Sequence, residues 1–271
     1  MSLWSASLET GAEVCQRARP WLGTVVSVRV EAGPGLAEPA IEAAFAEVGE
    51  IHRRMSFHDP DSELSRLNAA AHRAPQAVSG RLRRVLSAAL ALARASGGSF
   101  DPAVGGDPGA SWRDVELGGD GRVRFRRPLR LDLGGIAKGY AVDRAIDGLR
   151  RQGIAAAVVN AGGDLRSFGC RHTVWVRDPA EPGCGIPLLE TADAAVATSA
   201  GYFDENALVE PRTGGSLGVD RSATVCARRA IWADGLTKPV LADPSGSVGL
   251  LRRLGARAVL LDCQGGRLYL E

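Results

Sequence analysis

One segment of the sequence combines a strand-like run, two glycines and a lysine in a pattern typical of anion sites. Asp132 precedes Gly134 and Gly135, and the residues after them predict a helix with Lys138 in its first turn. Glycines let a phosphate approach the backbone, and a helix N-terminus offers N–H groups and partial positive charge. The segment therefore favours a phosphate or pyrophosphate site. The alternative is a simple tight turn beside a solvated lysine. A P-loop is excluded, because G-x-x-x-x-G-K-[ST] is absent.

A second segment has the residue types of a hard-cation site. Asp234 and Thr237 are three residues apart and share one face of a predicted helix. Mg²⁺ prefers oxygen ligands, and one carboxylate with a nearby hydroxyl or carbonyl and a substrate phosphate is sufficient. From this segment alone, the favoured alternative is that Asp234 caps the helix N-terminus. Soft-metal sites are not indicated, because the five cysteines and four histidines form neither a C-x-x-C pair nor a cluster.

The elements that must position these residues are predicted from hydrophobic periodicity. Helices are predicted over 41–55, 79–95, 136–152, 232–240 and 248–254, with a short one that Asp61 or Ser62 caps and that runs through Asn68. Strands are predicted at 21–30, 131–133, 155–159, 174–176, 195–198, 223–226 and 258–261. Helices and strands interleave without a steady βαβ rhythm, which indicates an α+β fold.

The composition is that of an ordinary globular protein. The 271 residues suit one large or two intimate domains, and the net charge of +2 is too balanced to indicate a nucleic-acid or membrane-surface binder. No apolar run reaches the roughly 18 residues of a membrane span. Lys138 and Lys238 are the only lysines among 33 basic residues, which singles them out. Neither a signal peptide nor a lipoprotein box is present, so the sequence predicts a cytoplasmic protein, or an exported one if a leader was removed.

Eight segments, in order over residues 20–240, resemble the ApbE flavin transferases. They are 22–24 (LGT), 55–68 (MSFHDPDSELSRLN), 100–105 (FDPAVG), 132–143 (DLGGIAKGYAVD), 159–164 (VNAGGD), 197–199 (ATS), 211–214 (PRTG) and 233–236 (ADGL). The resemblance implies an α+β flavin-transferase fold, with mixed sheets and packed helices, over residues 19–271. Residues 1–18 are then expected to form an N-terminal tail.

The resemblance also implies a Mg²⁺-dependent reaction. FAD is cleaved at its pyrophosphate, FMN is linked through phosphate to a Thr or Ser of an acceptor protein, and AMP leaves. The implied metal ligands are the carbonyl of Gly135, the carboxylate of Asp234 and the hydroxyl of Thr237, and the implied catalytic residues are Asp234 and Lys138. The residues implied to line the FAD site are Leu22, His58, Ser99, Phe100, Asp101, Asp132, Lys138 and Val209.

Three positions depart from the family pattern. Ala207 stands where a histidine implicated in catalysis is usual. Lys238 stands where a hydroxyl ligand of the metal is usual, so Thr237 would replace that ligand from one residue earlier, or Lys238 would supply its own charge. The aromatic residue expected on the flavin is His58 or Phe57. Two alternatives follow: an FAD-binding protein without transfer activity, and a metal-dependent pyrophosphatase that releases FMN and AMP.

Overall fold

A computed structural model describes residues 13–104, 106, 108–181, 183–201, 208–217 and 220–271. The strands are β1 (Glu13–Trp21), β2 (Thr24–Ala32), β3 (Gln76–Ala77), β4 (Val115–Leu117), β5 (Arg122–Phe125), β6 (Ala156–Ala161), β7 (Asp164–Phe168), β8 (His172–Arg177), β9 (Gly185–Thr191), β10 (Ala195–Ala200), β11 (Arg221–Ala227), β12 (Arg257–Asp262) and β13 (Arg267–Leu270). The helices are α1 (Ala37–Met55), α2 (Glu63–Ala70), α3 (Gly80–Ala95), α4 (Ala137–Arg151), α5 (Ala230–Ala242) and α6 (Pro244–Leu254).

The main sheet has eight antiparallel strands in the order β1-β2-β6-β7-β10-β11-β12-β13. In β2, Val26, Val28 and Val30 are fully buried and alternate with more exposed residues, because one face of the sheet lies on the core. Three helices cover the sheet side by side: α1 contacts β1 and β2, α4 contacts β6 and β7, and α5 contacts β10 and β11. Two smaller sheets, β3-β5-β4 and β8-β9, complete the α+β fold.

The predicted helices are confirmed, with ends that differ by a few residues. The hydroxyl of Ser62 caps α2 by accepting a hydrogen bond from Ser65 N at 2.9 Å. Lys138 lies in the first turn of α4, as predicted. Helix α5 begins at Ala230, so Asp234 lies inside the helix and the interpretation of Asp234 as its N-cap is wrong. Among the described residues, no helix is both long and apolar enough to span a bilayer.

Several stretches differ from the sequence prediction. The predicted strand 21–30 is interrupted by the turn at Leu22 and Gly23, and β3, β4, β5, β7, β9 and β13 were not predicted. Residues 13–18, assigned to a tail, form most of β1, a largely exposed edge strand without the alternation that predicts a half-buried strand. The predicted strand at 131–133 does not form. The side-chain amide of Asn68 both donates to Leu131 O and accepts from Leu131 N, each at 2.9 Å, and Asp132 N donates to Pro102 O at 2.7 Å. These partners satisfy the backbone that a neighbouring strand would otherwise pair.

Candidate active site

Two adjoining cavities lie at the N-terminal end of α4. The larger, about 420 Å³, is lined in part by Leu22, His58, Asp132, Gly134 and Lys138. The smaller, about 100 Å³, is lined in part by Ser99, Phe100, Asp101, Asp132, Gly135, Val209 and Lys238. All of the residues predicted to line FAD are therefore on these two cavities. The two meet at Asp132, Gly134 and Gly135, which we call the junction. A separate open groove of about 640 Å³ near Trp175 contains none of the predicted site residues.

The larger cavity has aromatic and apolar walls. Phe57 and His58, the two candidates for a stacking aromatic, both line it, and their rings meet edge to face at 5.5 Å. Leu22 reaches it from the two-residue turn between β1 and β2, where Leu22 and Gly23 have φ of 57° and 71°. Two left-handed residues make the turn that suits a twisted hairpin, and a leucine there is strained. The hairpin thus projects Leu22 toward the site at a conformational cost.

The polar residues on the smaller cavity mainly shape its wall. The Asp101 carboxylate accepts hydrogen bonds from Ala103 N at 2.8 Å and Trp112 N at 3.0 Å. Burial raises the pKa of Asp101, and these two N–H groups counter that rise. The hydroxyl of Ser99 donates to Ser96 O at 3.0 Å. Asp101 and Ser99 therefore hold the loop after α3 against the cavity.

The loop that carries Asp132 is fixed from two sides. The amide of Asn68 holds Leu131, as described above, and Asp132 Oδ1 accepts from Gly134 N at 2.7 Å. Asn68 belongs to a segment that resembles the family, but no role for Asn68 could be predicted from that segment. Its function is positional, because it sets the backbone directly before the junction.

Lys138 forms an ion pair with Asp164 at the turn between β6 and β7. Asp164 is 1% exposed; burial and the nearby Asp234 raise its pKa to about 6, although Lys138 acts in the opposite direction. Burial opposes the charge on Lys138, but attraction to Asp164 and Asp234 outweighs it and raises the pKa of Lys138. The ammonium therefore stays charged beside the larger cavity.

Asp234 is the centre of a second charged group. It is 1% exposed; its Oδ2 accepts from Gly139 N at 3.0 Å, and its Oδ1 accepts from Lys238 Nζ at 2.6 Å. Burial alone would raise the pKa of Asp234, but the ammonium groups of Lys238 and Lys138 outweigh it and lower the pKa. Both lysines of the chain thus lie at the site, one on each cavity.

Helices α4 and α5 cap each other. Asp234 of α5 accepts from the first turn of α4, while the buried Asp143 of α4 accepts from Ala230 N at 3.0 Å and Ile231 N at 3.1 Å at the start of α5. Acidic groups at helix N-termini satisfy unpaired N–H groups and favour the helix dipole. The helices approach closely at Gly139, where a Cβ would overlap the carbonyl oxygen of Ala230. This reciprocal capping fixes Asp234 relative to the junction.

The residues predicted to bind Mg²⁺ lie together, but their oxygens do not form a free ligand set. The Thr237 hydroxyl is fully buried, donates to Asp234 O at 2.7 Å and is 2.8 Å from the hydroxyl of Ser199. Asp234 uses both carboxylate oxygens on Gly139 and Lys238. Across the described residues, no group of three or more His, Cys, Asp or Glu side chains is arranged to hold a metal ion. As arranged, the donor set does not fit Mg²⁺.

Sequence reasoning missed several positioning residues because their partners are distant in the chain. Asp164 follows Lys138 by 26 residues, and Asp143 precedes its α5 partners by nearly 90. The sequence feature that could have pointed to Asp164 and Asp143 is that they lie in segments 159–164 and 132–143, which resemble the family. Ala207 lies outside the described residues.

Known proteins are similar to this chain in sequence and in fold. The profile of the ApbE family matches residues 22–106 and 108–260. An FAD:protein FMN transferase of Treponema pallidum is 30% identical over 275 residues, covering 81% of this chain and 76% of that protein. The solved flavin transferase ApbE of Vibrio cholerae has a TM-score of 0.82 at 23% identity, covering 95% and 96% of the two chains. The ApbE protein of Thermotoga maritima has a TM-score of 0.86 at 25% identity, covering 96% and 97%.

The fold and the two-cavity site define an α+β enzyme of the transferase class. The chain belongs to the ApbE family.

Proposed function

We propose that this chain transfers FMN from FAD to a Thr or Ser hydroxyl of an acceptor protein and releases AMP. The observation that carries the proposal is the junction, where two cavities meet beside the start of α4 with Lys138 on one side and Lys238 on the other. A pyrophosphate between two larger groups matches that arrangement of charge. The family membership and the names of the relatives support the same reaction.

FAD binds across both cavities. The larger one has the volume of a typical small-molecule site and offers Phe57 and His58 to a planar ring. The dinucleotide then extends past Asp132 and Gly134-Gly135 toward the smaller cavity. In this arrangement the pyrophosphate lies at the junction, within reach of both lysine ammonium groups.

The reaction exchanges one phosphorus–oxygen bond for another. The acceptor hydroxyl oxygen bonds to the phosphorus of the FMN half and loses its proton, while the bond to the AMP phosphate breaks and AMP keeps that electron pair. Phosphoryl transfer depends mainly on positioning and on neutralising the developing charge. Lys138 and Lys238 supply that charge, and the capped helices hold them in place. No step is assigned to a metal ion, because the donor set at Asp234 does not fit one.

One incubation tests the proposal. The protein is mixed with FAD and a flavin-acceptor domain, with and without Mg²⁺; the flavins and nucleotides are separated, and the intact mass of the acceptor is measured. An acceptor heavier by one FMN, with AMP released in equal amount, is expected. A family transferase with established activity on the same acceptor is the control for acceptor quality.

The ion pair between Lys238 and Asp234, together with Ala207, also favours a second candidate, an FAD-binding protein without transfer. FAD retained intact while the control enzyme modifies the acceptor would replace the proposed function with this one. Free FMN and AMP beside an unmodified acceptor would instead identify a pyrophosphatase.

A further inference from the structure

Lys238 lies close to the three residues that were predicted to bind a divalent cation, Gly135, Asp234 and Thr237. Its Nζ donates to Asp234 Oδ1 at 2.6 Å and to Asp234 O at 3.0 Å. A Cβ placed on Gly135 would lie 3.2 Å from Lys238 Cε and 3.7 Å from Nζ. The ammonium therefore contacts Asp234 and lies on the side of Gly135 where a side chain would project, and Thr237 is the residue directly before Lys238.

The ammonium also faces the ligand site. Lys238 lines the smaller cavity, and its side chain is only 16% exposed. An ammonium has three N–H donors, and the two bonds to Asp234 use two of them. The third is left for a phosphate oxygen at the junction. A charged donor of this kind forms a stronger hydrogen bond than a neutral one.

We propose that the Lys238 ammonium takes the place of the divalent cation, so that this chain binds the FAD pyrophosphate without a metal ion. Given the proposed function, FMN transfer is then also independent of divalent metal. The positive charge of Mg²⁺ is replaced by that of the Lys238 ammonium on α5. Asp234, four residues earlier on the same helix, holds this ammonium in place.

The charges at the site agree with this assignment. Two buried carboxylates, Asp164 and Asp234, face two ammonium groups, Lys138 and Lys238, and so the four groups balance. A divalent cation at Asp234 would add two positive charges within a few ångströms of Lys238 Nζ, where like charges repel strongly. It would also have to displace a 2.6 Å ion pair. The metal and the ammonium therefore compete for one position.

The test measures metal binding and FAD binding separately from transfer. Mn²⁺ is titrated into the full chain and followed by electron paramagnetic resonance. FAD affinity is measured by flavin fluorescence in EDTA and in excess Mg²⁺. Two variants are compared. Lys238→Thr replaces the ammonium with a hydroxyl that can bind a metal ion. Lys238→Met has neither an ammonium nor an oxygen ligand. Arg267→Thr, on the exposed outermost strand β13, is the matched control for the change in net charge.

The wild-type protein and Arg267→Thr are expected to bind FAD equally in EDTA and in Mg²⁺ and to leave Mn²⁺ free. Lys238→Thr is expected to bind one Mn²⁺ and to lose about tenfold or more in FAD affinity when metal is removed, the scale of one charged hydrogen bond. Lys238→Met is expected to bind FAD weakly both in EDTA and in excess Mg²⁺. Thermal melts of each variant identify any that fail to fold, and the wild-type result does not depend on them.

One bound Mn²⁺ in the wild-type protein that is lost in Asp234→Ala would overturn the proposal, as would wild-type FAD binding that requires Mg²⁺. Failure of the wild-type protein to bind FAD in either condition would overturn the proposed function instead. The Mn²⁺ titration would still decide which cation occupies the position.

Discussion

At the scale of single residues, the site depends on two lysines with different neighbours. Lys138 pairs with Asp164 from the β6–β7 turn, whereas Lys238 pairs with Asp234 on its own helix. Both ammonium groups are anchored by nearly inaccessible carboxylates and line different cavities. Anchoring fixes where each positive charge lies before a ligand arrives, which reduces the cost of ordering a flexible side chain on binding.

The contact of Lys138 with phosphate leads to a prediction about ligand selectivity. Lys138→Ala is expected to weaken FAD binding by about tenfold or more, as the loss of one charged hydrogen bond does. Riboflavin, which has no phosphate, is expected to bind as before. The measurement is a fluorescence titration of both ligands with each protein. Equal weakening of the two ligands would mean that Lys138 supports only the shape of the cavity.

The sequence identified the charged residues of the site better than it identified their partners. Lys138 stood out by lysine rarity and by its place after two glycines, and Asp234 by its resemblance to the family. Asp164 and Asn68 could not be assigned, because the contacts of each span more than 20 residues of chain. Lys238 was singled out, but only the structure places its Nζ against Asp234 and on the side-chain side of Gly135.

At the scale of elements, the α4–α5 pair forms the frame of the site. Asp143 is fully buried and also forms a 2.8 Å ion pair with Arg166, which is itself almost inaccessible. Removing one partner of a buried ion pair leaves the other charge uncompensated. The ion pair between Asp143 and Arg166, together with the capping of α5 by Asp143, therefore links the start of α5 to strand β7, which carries Arg166. Asp234 is held in place by the same link.

Asp143→Ala is expected to lower the free energy of unfolding by about 3 kcal/mol or more, because it leaves the buried Arg166 with only the partly exposed Asp147 as a partner and uncaps α5. Urea denaturation followed by circular dichroism measures the loss. Asp147→Ala is the matched control, since Asp147 and Asp143 both form ion pairs with Arg166 and Arg229, but Asp147 is a quarter exposed. A smaller loss is expected there. Equal losses in the two variants would contradict the capping role of Asp143.

Two glycines of α4 provide a test of the close approach between the helices. At Gly139 a Cβ would collide with the Ala230 carbonyl, whereas at Gly148 the nearest atom is the flexible Arg151 guanidinium at 3.8 Å. Gly139→Ala is expected to cost about 1–3 kcal/mol, typical of overpacking. Gly148→Ala is expected to gain up to about 1 kcal/mol from helix propensity. Urea titrations give both values, and losses of similar size would rule out a specific contact at Gly139.

The elements that were predicted are those whose apolar residues repeat with the period of the structure. Helix α3 is an example, since it has a buried apolar face and agrees with the predicted range 79–95 to within one residue. Strand β1 was missed because it lies at the sheet edge with mostly exposed side chains. The segment 131–133 was mistaken for a strand because buried leucines alternate with Asp132, although a side-chain amide satisfies its backbone. The periodicity of apolar residues predicts which side chains are buried, but it does not predict which groups form hydrogen bonds with the backbone.

At the scale of the whole molecule, the site exists only where distant parts of the chain meet. Leu22 comes from the first hairpin, His58 from the loop after α1, Asp101 from the loop after α3 and Lys238 from α5. The main sheet and its three covering helices bring these segments to one place. A ligand that fills both cavities therefore connects elements from the first and last thirds of the chain.

This arrangement predicts that FAD stabilises the entire fold. A ligand that binds only the native state, at about 100 times its Kd, adds roughly 2.7 kcal/mol to the free energy of unfolding. FMN and AMP, compared at the same concentrations as FAD, are each expected to add less, because each forms only part of the contacts at the junction. Urea denaturation with each ligand measures the increments. If AMP or FMN alone matched FAD at equal concentration, only one cavity would contribute to binding, and the pyrophosphate would not lie between Lys138 and Lys238.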